Sequence, residues 1–170
     1  MSVKKLTFLA FFTTVSLAVF AVESALPPLA PIPGIKMGLA NIVTLILLGH
    51  SAPKDALTVL CARIFLSVFL FGQAMSLLYS IAGGLTSLLV MALCRKLLSG
   101  KFSCLTGAMG GLTHNMAQLL TAYALTATPG VFAYLPFLTL SGVLAGLFTG
   151  FCAEFLDRHL SRLFPRFPEN

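Results

Sequence analysis

The sequence predicts an all-α integral membrane protein, a bundle of about six transmembrane helices with a short second span after a proline-rich segment. Three observations predict it. Of the 170 residues, 58% are hydrophobic and 9% charged, against roughly a quarter charged in ordinary globular chains, and the mean hydropathy is +0.97. A soluble domain of this size must cover its surface with polar groups this chain lacks, and a disordered chain is poor in apolar residues. Second, the apolar residues fall into runs separated by Pro, Gly and charged residues. Third, the eleven Lys and Arg cap those runs instead of collecting on one face, as orientation in a bilayer requires. The net charge of +6 is therefore no mark of a nucleic-acid partner; the partner it implies is the lipid bilayer. The length fits one transmembrane domain, residues 1–170.

The first run, Leu6 to Ala25, follows Lys4 and Lys5 and holds one acid, Glu23. A basic start before an apolar run also describes a signal peptide, with Val19, Phe20 and Ala21 at the cleavage site. Because the rest of the chain is equally apolar, the run is read as a retained first helix. The next stretch, Leu26 to Gly34, has four prolines and a glycine and cannot be helical. It is nevertheless apolar, and irregular chain at membrane depth must be buried in protein or line a cavity. Pro27 to Gly34 is thus expected to fold back on the bundle as an outward-facing lid.

The second run, Met37 to Gly49, would span about 20 Å as a helix, so it is either partly re-entrant or a short tilted helix. The third starts at Asp55, the expected N-cap after Pro53, runs to Gly72 and contains Arg63. The fourth covers Ala74 to Leu98 and closes on Arg95 and Lys96. The fifth covers Phe102 to Thr126, before Thr128, Pro129 and Gly130 break the chain. The sixth covers Phe132 to Ala153, and residues 154–170 form an amphipathic tail with Glu154, Asp157, Arg158, Arg162 and Arg166.

Six crossings place Lys4, Lys5, Lys54, Arg95, Lys96, Lys101, Arg158, Arg162 and Arg166 inside, Lys36 outside and Arg63 within a span, which accounts for all eleven basic residues. This bias puts both termini in the cytoplasm of a multi-pass cell-membrane protein. Cys61, Cys94, Cys104 and Cys152 form no CxxC or Cys/His cluster and read as small apolar filler. His50 and His159 lie near the cytoplasmic edge, far in depth from His114, so no metal and no cofactor are expected.

Gly142, Gly146 and Gly150 in the sixth run, and Gly107 and Gly111 in the fifth, recur every four residues. Such stripes let helix backbones approach closely in lipid, either within the bundle or against a partner subunit. At 100° per residue, Gly107, Gly111, His114, Asn115 and Gln118 share an arc of about 100°. Polar side chains in mid-membrane need partners. They form either an interhelical hydrogen-bond network or a polar cavity for a substrate, with Gly83 and Gly111 leaving room beside it. On the fourth run Tyr79, Gly83, Thr86 and Ser87 make a gentler version of the pattern. Arg63 lies eight residues past Asp55, about 12 Å deep. It pairs with Glu23, bonds backbone carbonyls at the broken segment, or binds an anion. Depth puts the expected site in the outer half of the bundle, between the first, fourth and fifth runs and the lid. Glu23, Lys36, Asn41, Tyr79, His114, Asn115 and Gln118 converge there above Arg63.

The stretch from Glu23 to Asn41, ESALPPLAPIPGIKMGLAN, resembles the Gx transporter family. So do Tyr79 to Gly84, and Phe102 and Ser103 followed by Gly110, Gly111, His114 and Asn115. Members of that family are similar to the substrate-binding S components of energy-coupling-factor transporters. The resemblance implies a six-helix bundle that binds a small molecule from outside and works with a transmembrane coupling protein and ATPase subunits. The same family often carries the label heptaprenyl diphosphate synthase component I. Prenyl transfer needs paired aspartate-rich motifs to hold magnesium, and this chain has only Asp55 and Asp157, standing alone. No P-loop is present either, since Ser99-Gly100-Lys101 runs into Phe102 without the upstream glycine. With no nucleophile–base or acid pair standing out, the expected function is a non-enzymatic transporter component that binds a small molecule. The alternative is a non-catalytic accessory subunit in isoprenoid or quinone metabolism.

Overall fold

The computed structural model describes residues 3–26, 35–72, 74–98 and 103–163. The described residues form six helices: α1 (Val3–Ala25), α2 (Asn41–His50), α3 (Pro53–Phe71), α4 (Ala74–Leu97), α5 (Ser103–Thr126) and α6 (Leu135–Leu163), with a 3-10 turn at Pro129–Tyr134 before α6. The described residues include no strand. The expected lid, Pro27 to Gly34, lies outside the described residues, as do Lys101 and Arg166.

Local chemistry sets the helix ends. Ala52 is the N-cap of α3 and Pro53 its first helical residue, a position where a missing N–H costs nothing. Asp55 is therefore not the expected N-cap. It sits in the first turn, where its charge suits the helix dipole, and its carboxylate is 2.9 Å from Lys5 Nζ of α1. Gly72 closes α3 in the left-handed region at φ 64°. Ala127 does the same for α5 at φ 48°, its N–H donating to the Tyr123 carbonyl at 2.8 Å. Two other boundaries differ from expectation. The second helix starts only at Asn41, because residues 35–40 form an irregular strap. The sixth does not stop at Ala153: no Pro or Gly interrupts it before Leu163, so residues 154–163 of the expected tail continue the helix.

α2 is the axis of the bundle. Among the described residues it alone touches all five other helices, and α1, α3, α4, α5 and α6 follow one another around it, open between α1 and α6. Seven of its ten residues are buried. The outer surface is apolar: Phe65 and Phe69 on α3, Leu85, Leu89 and Leu93 on α4, and Leu140, Leu144, Phe148, Phe151 and Phe155 on α6 are all exposed. Contiguous apolar surface of this extent marks contact with lipid. Thr13, Thr14, Thr113 and Thr121 satisfy their hydroxyls within their own helices, donating to the carbonyl four residues back, as a bilayer favours.

Among the described residues three helical stretches are long and apolar enough to cross a membrane: Val3–Ala25, Met75–Leu97 and Pro129–Asp157. Fewer than the expected six spans are thus indicated. α2 is only ten residues long, about 15 Å. α3 carries Lys54, Asp55 and Arg63, and α5 carries His114, Asn115 and Gln118. Polar side chains turned into the bundle dilute the apolar character of both.

Two apolar clusters hold the interior. The larger joins Phe8, Leu9 and Phe12 of α1 to Val43, Leu45, Ile46 and Leu47 of α2, Val59, Leu60 and Ile64 of α3, and Leu88 and Met91 of α4. The smaller joins Ile35, Tyr79, Leu119, Ala122, Val131 and Leu138. Along α4, Tyr79 belongs to the smaller cluster, Gly83 faces His114, and Leu88 and Met91 belong to the larger. A polar layer lies between them.

Candidate functional site

The strap of residues 35–40 organises this layer. Gly38 has φ 81°, a conformation that only glycine adopts freely, and a Cβ there would lie 2.8 Å from His114 Cδ2 and 2.9 Å from Asn41 Nδ2. The bend it permits aims two backbone N–H groups at one side chain of α1. Gly38 N–H donates to Glu23 Oε1 at 2.6 Å and Leu39 N–H to Oε2 at 3.1 Å. On its other flank the strap meets α5, where Lys36 N–H donates to Gln118 Oε1 at 3.1 Å.

That last bond propagates inward. With its oxygen committed to the strap, Gln118 turns its amide nitrogen to His114, 3.0 Å from Nε2. Nε2 therefore accepts, and the proton of a neutral imidazole resides on Nδ1. The ring is held edge-on between two glycines: a Cβ at Gly83 would lie 2.8 Å from both Cε1 and Nδ1. The room expected beside Gly83 is thus filled by the His114 ring itself. The room expected beside Gly111 is filled by α6, since a Cβ there would run into the Gly142 carbonyl oxygen.

Three charges surround this core. Glu23 is 6% and Arg63 4% exposed, and Lys36 is half-buried. The Lys36 ammonium donates to Ser24 Oγ at 2.5 Å and stands 3.4 Å from the Phe20 ring centroid. Burial, with the Arg63 charge adding to it and Glu23 opposing, lowers its pKa from 10.5 to about 8. The Arg63 guanidinium carbon lies 5.5 Å from the same ring. The described residues offer it no hydrogen bond and no ion pair, and its Nε is buried without a partner. Among the described residues it makes no ion pair with Glu23, whose carboxylate the strap amides take up; the carbonyls of the broken segment from Pro27 to Gly34 lie outside the described residues.

A cavity of about 10 Å³ lies among these groups, lined by Phe20, Glu23, Lys36, Gly38, Ala40, Asn41, Arg63, Ser80, His114 and Gln118. Such a space holds roughly one water. Six of the eight expected site residues line it. Tyr79 is packed in the smaller apolar cluster, and Asn115 faces α6, donating to the Leu138 carbonyl at 2.8 Å and lying 3.3 Å from Ser141 Oγ. Phe20 and Gly38 were not foreseen. Phe20 could have been found, as it lies three residues before Glu23 on the same face of α1.

The glycine stripes of α5 and α6 meet face to face. A Cβ at Gly107 or Gly146 would strike the other's carbonyl oxygen, and one at Gly150 would come within 2.6 Å of Cys104 Cα.

A family model for heptaprenyl diphosphate synthase component I matches residues 12–156. The chain belongs to that family. Neither a curated protein nor a solved structure matches it. The segment matched to heptaprenyl diphosphate synthase component I contains every residue lining the cavity and the whole glycine seam. In this member of the family the two aspartates sit at helix ends far from the cavity. Asp55 pairs with Lys5, and Asp157 lies 3.1 Å from His50 Nδ1. Among the described residues no three His, Cys, Asp or Glu are grouped to hold a metal ion.

Proposed function

We propose that this chain is the substrate-binding membrane component of a transporter, taking a small molecule from the outer side. The observation that carries this reading is the roofed polar cavity: an unpaired Arg63 and an unpartnered Asn41 Nδ2 line it in a bundle whose outer face is apolar. Unpaired polar groups at membrane depth are costly and mark functional sites. The strap closes over the cavity through hydrogen bonds to Glu23, Ser24 and Gln118, so a ligand larger than water enters when those bonds open.

In this reading α2 makes one crossing with the strap lying over its outer end, α3 and α5 also cross with their polar faces inward, and both termini are cytoplasmic. The positive-inside bias supports that topology. The energy source is a transmembrane coupling protein and ATPase subunits of the energy-coupling-factor kind, which the family resemblance suggests. A C-terminal reporter should be active only on the cytoplasmic side; activity outside breaks the six-crossing topology. Mass spectrometry of the detergent-solubilised protein should find a co-purified small molecule that Asn41→Ala and Gln118→Ala release. Protein free of any such molecule, yet required for activity of a prenyl diphosphate synthase, would favour the second reading. That reading, a non-catalytic accessory subunit beside a synthase, is supported by the family name.

A further inference from the structure

We infer that the occupant of the cavity presents a monovalent anionic group, and that Arg63 and Asn41 receive it. The inference rests on the binding role proposed above and adds the charge of the ligand to it.

The first argument is the balance of charge. The cavity wall holds one carboxylate, Glu23, and two cations, Lys36 and Arg63. His114 is neutral in the tautomer that Gln118 sets. The wall is one positive charge in excess, at a depth where an uncompensated charge is expensive. The second argument is how the charges are used. Both oxygens of Glu23 already accept strap amides. Lys36 has Ser24 and the Phe20 ring. Arg63 has no such bond among the described residues. The third argument is polarity. Arg63 Nε and Asn41 Nδ2 are both buried, both without a partner, and both N–H donors. A wall with spare donors and spare positive charge fits an acceptor that carries negative charge, and an Arg fork is matched to a carboxylate. One negative charge neutralises the excess. A carboxylate of a small organic acid and a halide share this chemistry.

The test is thermal unfolding of the purified full chain in a non-ionic detergent. Sodium acetate, benzoate and chloride are each titrated against methanesulfonate at constant ionic strength. The parent should gain stability saturably. Response to acetate or benzoate at lower concentration than to chloride assigns an organic acid, and the reverse order assigns a halide. Arg63→Met should melt no lower than the parent in methanesulfonate, since it removes an unneutralised buried charge, and should lose the response. Arg63→Lys keeps the charge without the fork and should keep a response weakened roughly tenfold. If no anion shifts the parent and Arg63→Met melts well below it, Arg63 is held by the protein itself and the inference fails. A response that survives in Arg63→Met puts the anion elsewhere and also overturns it. A co-purified neutral or cationic molecule, released by Asn41→Ala, overturns the anion assignment while the binding role stands.

Discussion

The two ends of the bundle treat their charges in opposite ways. Away from the strap, both aspartates bridge two helices. Asp55 of α3 holds Lys5 of α1 at 2.9 Å, and Asp157 of α6 holds His50 of α2 at 3.1 Å. Arg95 of α4 joins the second group, with its guanidinium and the Asp157 carboxylate both 3.3 Å from where a Cβ of Gly49 would be. Beneath the strap the single acid bonds to backbone, and among the described residues Arg63 has no hydrogen bond or ion pair. Charges that close on one another fasten helices together. A charge left open after folding is a cost without a structural return, and the binding role proposed for the cavity beside Arg63 would supply one.

The seam on which both ends depend gives the largest expected effect. Gly146→Leu would drive a side chain into the Gly107 carbonyl and Ala108. Overpacking a filled interface typically costs about 1–3 kcal/mol, and backbone-to-backbone contact leaves little slack to absorb it. The variant should lose folded yield in size-exclusion chromatography, and both ends should loosen together. Folded, parent-like protein would show that α5 and α6 can separate without consequence.

Removing one acid at each end sharpens the contrast. Asp55→Ala removes the bridge to Lys5 and should cost about 1–3 kcal/mol, the range for losing a hydrogen bond to a charged group. Glu23→Gln keeps one acceptor oxygen for the strap but sets its NH2 against the other strap N–H, so the strap should loosen as well. Its distinguishing effect should fall on ligand binding, because it raises the excess positive charge of the cavity wall. Equal destabilisation by the two, with no change in ligand affinity, would remove the distinction between the ends. Asn115→Ala belongs with the structural set: it frees the Leu138 carbonyl and should lower the melting temperature while leaving ligand affinity unchanged.

The helices were legible because apolar runs and their breakers mark them. α4 and α5 lie within a residue of the expected segments. The polar pairings were less so. Composition says that Asp55 stands near a helix start, yet whether it caps α3 or reaches Lys5 depends on where Pro53 and α1 come to rest. In the site, the arc shared by His114, Asn115 and Gln118 was correct as angle and too coarse as direction. Asn115 is one residue, about 100°, around from His114, which is enough to turn it from the cavity to α6. Glycines misled in the same way. A glycine in a sequence marks close approach, and only the folded chain says whether a ligand, a His114 ring or the backbone of α6 does the approaching.

The smallest expected effect concerns Lys36, the one charge in the strap. Its folded pKa is lowered from 10.5 to about 8, so between those values the unfolded chain binds the proton and the folded chain does not. Stability rises with pH wherever the unfolded state holds more protons. Burying the charged ammonium thus costs stability at neutral pH, and the cost fades as pH climbs from about 8 toward 10.5. Lys36 is only half-buried, so solvent screens much of the effect. Lys36→Met should melt slightly higher than the parent at pH 7, and the difference should shrink as pH rises through that window. Other lysines titrate equally in both proteins and cancel. A difference that instead grows with pH would mean that the ammonium is stabilised in the fold, by Glu23 and Ser24 outweighing burial. The strap end would then be as fully paired as the other, apart from Arg63 alone.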